Sequence, residues 1–199
     1  SPHIRGKRNT QQIMRDVVIA LLPALIAGTI IFGMRALLVT LVCVAAAAAA
    51  EWACGMVLYH RNTVKDLSSV VTGLLLALTL PATVPYWVAA VGSIFAIVVV
   101  KGLCGGLGKN VVNPALTARV FMLVAFSSLA QASFPVDATA GATPLVSIAE
   151  GKVPELMDLF LGKHGGAIGE TCAVALLIGG VYLLIRKVIS WHLPVAFVA

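Results

Sequence analysis

The residues able to do chemistry in this chain are few and scattered through apolar sequence. The densest polar run is Asp137-Ala138-Thr139-Ala140-Gly141-Ala142-Thr143-Pro144-Leu145. Thr143 offers a hydroxyl with two tiny residues before it and a proline behind it. Its side chain is therefore unshielded, and its backbone is biased away from helix. An extended, accessible threonine on a loop can be modified by a large enzyme. Taken alone, the stretch favours a plainer reading, a glycine turn solvated by a threonine; the rest of the chain reverses that preference. Glu51 follows an apolar run, and a carboxylate inside a membrane is a functional candidate unless it lies at the interface. Asp66 is a second carboxylate of interest, and with Ser68 and Ser69 it can cap the next helix. Asn110 and Asn113 offer amides at a helix start, suited to a polar ring or an ion, or to plain capping. Arg119, one turn further on, is expected to point into protein, towards a partner or ligand.

These groups must be positioned by an unusually greasy chain. Of 199 residues, 60% are hydrophobic and only 11% charged, with a mean hydropathy of +1.01. Soluble domains carry about a quarter charged residues, so the composition is that of an integral membrane protein. The net charge of +6 then reflects Lys and Arg gathered in cytoplasmic loops. Nucleic acid is not an expected partner, because no basic face alternates with exposed aromatics. Cys43, Cys54, Cys104 and Cys172 form no CxxC pair and read as small core residues, leaving no metal site of this chain's own. The chain opens without Met and stops in His192-Leu193-Pro194-Val195, which reads as the start of another apolar helix. It is expected to be part of a longer protein, and no signal peptide is visible.

Taken in order, residues 1–16 form a cytoplasmic basic lead-in with Arg5, Lys7, Arg8 and Arg15, and 17–130 hold transmembrane helices. Ile13–Phe32 and Ala36–Tyr59 are each long enough to cross about 30 Å of hydrocarbon. Six alanines at 45–50 predict a face packed closely against a neighbour. Leu67–Leu80 is too short for a full span and reads as a broken or re-entrant helix ending at Pro81. Pro85-Tyr86-Trp87 opens another span to Val100, with Trp87 suited to the interface. The glycines between Lys101 and Lys109 match no phosphate-binding fingerprint and suggest close packing or a ligand-lining turn. Asn113 and Pro114 start a helix expected to run to about Ala130. Residues 131–168 form a long loop with a short amphipathic segment. A last complete span covers about Gly169–Ile185, within a segment 169–199 that also begins the next helix. The fold expected is an all-α transmembrane bundle with one broken helix.

The topology follows from counting charges. With the N-terminus inside, Arg5, Lys7, Arg8, Arg15, Arg61, Lys65, Lys101, Lys109, Arg186 and Lys187 lie on the cytoplasmic side. Arg35, Lys152 and Lys163 lie on the other. Ten against three obeys the positive-inside rule and places Thr143 outside.

Several landmarks then carry a family resemblance. They are Thr10-Gln11-Gln12-Ile13-Met14, Thr72-Gly73-Leu74-Leu75-Leu76-Ala77, Gly105-Gly106-Leu107-Gly108-Lys109-Asn110 with Asn113-Pro114-Ala115, Ala142-Thr143-Pro144-Leu145 and Trp191-His192-Leu193-Pro194. Spread over nearly the whole chain, they resemble the D subunit of Rnf-type ferredoxin:NAD oxidoreductases. The likeness extends more distantly to the B subunit of the sodium-pumping NADH:quinone oxidoreductase. The resemblance implies an FMN joined through its phosphate to Thr143 by an extracytoplasmic flavin transferase. The acceptor pattern Asp-x-x-Ser-Gly-Ala-Thr maps onto Asp137, Gly141, Ala142 and Thr143, with Ala140 where Ser is usual. It also implies an electron relay within a complex of membrane and peripheral subunits that exports Na⁺ or H⁺ across a prokaryotic cytoplasmic membrane. Relatives hold a second, noncovalent flavin (riboflavin), for which Asn110, Asn113 and Arg119 are the candidates here. The chain would then be the first half and more of an inverted-repeat fold. Two rivals remain: a urea-channel-like pore lined by broken helices, and a structural subunit without flavin.

Overall fold

A computed structural model describes residues 9–58, 66–103, 110–127, 160, 162 and 166–198. The stretch expected to accept a flavin, with Asp137, Gly141, Ala142 and Thr143, lies outside the described residues, as does the glycine-rich segment Gly105–Lys109. Among the described residues every regular element is a helix. They are α1 (Thr10–Phe32), α2 (Met34–Leu58), α3 (Ser68–Thr79), α4 (Tyr86–Phe95), α5 (Pro114–Ala125), α6 (Ala173–Ile185) and α7 (His192–Val198). α4 continues as a π-helix over Ala96–Gly102.

Only α1 and the Met34–Val57 stretch of α2 are long and apolar enough, among the described residues, to cross a membrane alone. A bare Gly33 with φ 76° joins them, a left-handed backbone that needs no Cβ. α3, with 12 residues, rises about 18 Å and is the short helix expected before Pro81. It packs into the alanine run: a Cβ on Gly73 would sit 2.9 Å from both Cys43 O and Val44 Cα. Cys43, Ala47 and Ala50 are the buried face of α2 there. In this apolar setting small hydroxyls bond back along their own helices, Thr40 Oγ1 to Ala36 O, Thr72 Oγ1 to Ser68 O and Ser93 Oγ to Ala89 O, each at 2.9 Å. Outward faces carry large apolar residues such as Ile26, Ile30, Val124, Leu177 and Ile185.

The two ends of the bundle collect different turns. At one end Arg35 Nη2 donates to Thr83 O at 3.0 Å and lies over the Tyr86 ring. The Phe126 ring meets Trp87 edge-on there. The 166–170 turn joins this end through Ile168 N to Leu80 O and Gly169 N to Leu78 O, at 3.0 and 2.8 Å. At the other end Arg186 clasps the buried Asp16 carboxylate across α1 and α6, at 3.2 Å. Phe126 and the 166–170 turn, which flank segment 128–165 in the chain, therefore both lie at the Arg35 end.

Three sequence expectations change. α5 closes at Ala125 rather than Ala130, because Phe126 turns to φ −133° and spends its ring on Trp87 and Phe121. The last span begins at Ala173, since residues 168–169 are used in backbone pairing with α3's end. Lys101 is not a loop charge. It sits on the π-helix, 3% exposed, and drops out of the cytoplasmic count.

Candidate functional site

The site begins with two residues that nothing local brings together. Glu51 lies near the end of α2 and Lys101 near the end of the π-helix, both buried. Lys101 Nζ donates to Glu51 Oε2 at 2.7 Å and to Ser68 Oγ at 2.5 Å. A buried ion pair survives when its remaining hydrogen-bonding capacity is met, and Ser68 supplies part of it. The π-helix sets the register: Val100, Lys101 and Gly102 are buried in succession, and such widened turns gather at functional sites.

Ser68 is the first residue of α3, and its placement is local. Asp66 Oδ1 accepts from Ser68 N at 2.9 Å and from Ser68 Oγ at 2.6 Å. Leu67 between them takes φ 62°, a left-handed conformation that costs a residue with a Cβ about 1–2 kcal/mol. Asp66, one residue before the N-cap Leu67, thus satisfies the first N–H of α3, while the Ser69 hydroxyl is buried with no hydrogen-bond partner among the described residues.

Ser68 and Lys101 open onto a cavity of about 440 Å³, which Asn110, Asn113, Pro114, Thr72, Leu75 and Met14 also line. Its size falls in the range of small-molecule sites. Asn113 is committed, since its Oδ1 accepts from Ala115 N and Leu116 N at 3.0 and 3.4 Å, as the cap of α5. Asn110 is not: its Oδ1 is buried without a hydrogen-bond partner among the described residues. An ammonium has three N–H groups, and Lys101 spends two on Glu51 and Ser68. Among the described residues, the cavity wall thus carries an acceptor and a donor that lack partners, complementary to an amide- or imide-edged ring.

Arg119 is separated from Asn110 and Asn113. It lines a second cavity of about 470 Å³ towards the other end of α3, with Glu170, Thr79, Pro81, Gly169 and Leu75. Leu75 borders both cavities. Among the described residues no cluster of His, Cys, Asp and Glu has the makings of a metal site, and Cys43, Cys54 and Cys172 are free thiols. Sequence reading singled out Glu51 and Asp66 but missed Lys101; its place in a glycine-flanked, basic-ended segment gave no sign that it turns inward.

Apolar outer faces, two helices able to cross a bilayer and polar groups turned inward define an all-α membrane protein. The chain belongs to the NQR2, RnfD, RnfE family, whose model matches residues 1–199. It is 45% identical, over 99% of its length and 64% of the relative's, to the D subunit of the Na(+)-translocating ferredoxin:NAD(+) oxidoreductase complex of Acetobacterium woodii. The D subunit of the proton-translocating ferredoxin:NAD(+) oxidoreductase complex of Clostridium ljungdahlii is 35% identical, over all of this chain and 65% of the relative. The D subunit of the ion-translocating oxidoreductase complex of Alcanivorax borkumensis is 38% identical, over all of this chain and 67% of the relative. The chain thus spans about two thirds of the length of these relatives.

Proposed function

We propose that this chain is a membrane electron-relay subunit bearing FMN on Thr143, within a complex that couples ferredoxin and NAD redox chemistry to export of Na⁺ or H⁺. The observation that carries the reading is the acceptor pattern Asp137, Gly141, Ala142 and Thr143 in a chain of this family. The names of the relatives supply the complex, its two redox partners and both ions. Bound flavin exchanges electrons in ones and twos and so links carriers that differ in electron number. Tethering holds it at high effective concentration whatever its intrinsic affinity.

The chain's own residues support a second, noncovalent flavin in the cavity of Asn110 and Asn113. Asn110 Oδ1 would accept from a ring N–H, Lys101 Nζ would donate to a neighbouring carbonyl, and Asn113 would hold the start of α5 in place. Arg119, in the other cavity, is not part of that set. The subunit is proposed to lie in the cytoplasmic membrane of a prokaryote with Thr143 on the extracytoplasmic side. The charge count favours this orientation even without Lys101, and the described residues on both sides of segment 128–165 lie with Arg35. A flavin transferase completes it, and the neighbouring subunits hold the ferredoxin and NAD sites.

The test is in-gel flavin fluorescence of the denatured full-length protein, coexpressed with a flavin transferase, beside Thr143→Ala. Fluorescence in the wild type that vanishes in the variant is the expected result. A dark wild type would overturn the flavoprotein reading and favour a structural subunit.

A further inference from the structure

The two halves of the Lys101–Glu51 pair do not face the cavity equally. Lys101 is part of the wall around Asn110 and Asn113, whereas Glu51 is not among the lining residues. Glu51 Oε2 lies 2.7 Å from Nζ, so the carboxylate stands behind the ammonium as seen from the cavity. The same layering recurs at the start of α3. Ser68 lines the cavity, and its Oγ donates at 2.6 Å to Asp66 Oδ1, which belongs to a residue outside the lining. Helix starts add charge of the same sign as Lys101. Ser68 opens α3, while Asn113 and Pro114, also in the wall, open α5, and a helix N-terminus carries partial positive charge. The wall is positive, and its carboxylates are set back by one hydrogen bond.

We propose that this layering sets the redox preference of the ring in the cavity, with Lys101 favouring the reduced form and Glu51 limiting that preference from behind. The inference rests on the reading above that the cavity holds a noncovalent flavin. Two electrons and one proton turn the neutral oxidised ring into a monoanion, the electrons coming from another redox carrier and the proton from water. The ammonium in the wall stabilises the added charge. Glu51 opposes it less strongly, because Coulomb energy falls with distance and Glu51 is the farther charge.

Glu51 is a positioning residue, acting on the ring through Lys101. A lone ammonium is costly to bury, so the carboxylate holds the cation in the wall. The same carboxylate weakens the cation's field at the ring. One ion pair thus fixes the π-helix against α2 and trims the potential of the site.

The experiment uses the full-length subunit, produced without a flavin transferase so that Thr143 stays unmodified, purified in detergent and loaded with riboflavin. Absorbance in a mediated redox titration gives the midpoint potential of the bound riboflavin. Glu51→Gln keeps an oxygen for Nζ but loses the charge, while Asp66, behind Ser68, still holds a carboxylate near the ammonium. Its potential should rise, the preference for the reduced ring growing on the order of tenfold, or about 30 mV for a two-electron couple. Lys101→Met with Glu51→Leu removes both charges without orphaning either, and should lower the potential by a similar amount. A purely structural role for the pair gives no such opposed shifts. An unchanged or lowered potential in Glu51→Gln, with riboflavin bound, overturns the proposal and leaves the cavity reading intact. Should Glu51→Gln not fold, the double variant decides alone, and an unchanged or raised potential there overturns the proposal. A wild-type subunit that takes up no riboflavin overturns the cavity reading itself, and the proposal with it.

Discussion

The cavities at the two ends of α3 are alike in size and share Leu75, yet their polar groups are held in different ways. Around Asn110 the chemistry is wired by side chains from three elements, with Glu51, Lys101, Ser68 and Asp66 bonded in sequence. Around Arg119 the wall is backbone, with residues 168–169 paired to the carbonyls of Leu80 and Leu78. The first arrangement fixes charge deep in the bundle. The second fixes a turn, and through it the point where the chain rejoins the bundle after Thr143. The contrast teaches that one short helix serves two ends by different means: buried electrostatics at its start, strand-like backbone pairing at its close.

The largest way to break the contrast is to orphan a charge. Lys101→Met leaves Glu51 buried alone and should cost about 3–5 kcal/mol, read as a lowered unfolding midpoint of the purified protein in detergent. The double variant Lys101→Met with Glu51→Leu should recover most of that loss. Arg119→Met, at a half-buried position beside the other cavity, should lower the midpoint less than Lys101→Met; a larger drop would reverse the comparison.

A smaller effect should come from backbone packing. A Cβ on Gly28 would lie 2.5 Å from Ile168 O, so Gly28→Ala should cost about 1–3 kcal/mol. The change strikes the 166–170 wall, so the flavin proposed at Asn110 should stay bound while the unfolding midpoint falls. Removing the α5 cap with Asn113→Ala should cost about 1 kcal/mol, and this variant should weaken retention of the proposed noncovalent flavin. Least of all, Gly180→Ala meets nothing within 4 Å and should stabilise α6 by up to about 1 kcal/mol. A destabilised Gly180→Ala would mean that this face of α6 is packed in the assembled complex.

Much of the fold was legible because bilayer thickness and helix rise act on local sequence. α1, α2, the shortened α3 and the Asn113 cap all follow from apolar run length, Pro81 and an Asn-Pro start. The alanine run announced a close contact, and Gly73 supplies its other side. What could not be read were features in which distant residues meet. Lys101 reads as a loop charge until the π-helix turns it inward. Asn110, Asn113 and Arg119 read as one cluster because they are near in sequence, but α5 carries Arg119 far enough along its axis to face another cavity. The end of α5 depended on Phe126 finding Trp87.

The sequence alone determined the class of the molecule and its longer helices, because composition and run length decide these without reference to distant residues. Only the tertiary structure decided which polar groups share a cavity and which carboxylate holds Lys101. The reason is physical: a charge can stay buried only beside a partner, and the partner Glu51 is supplied by another helix across the bundle.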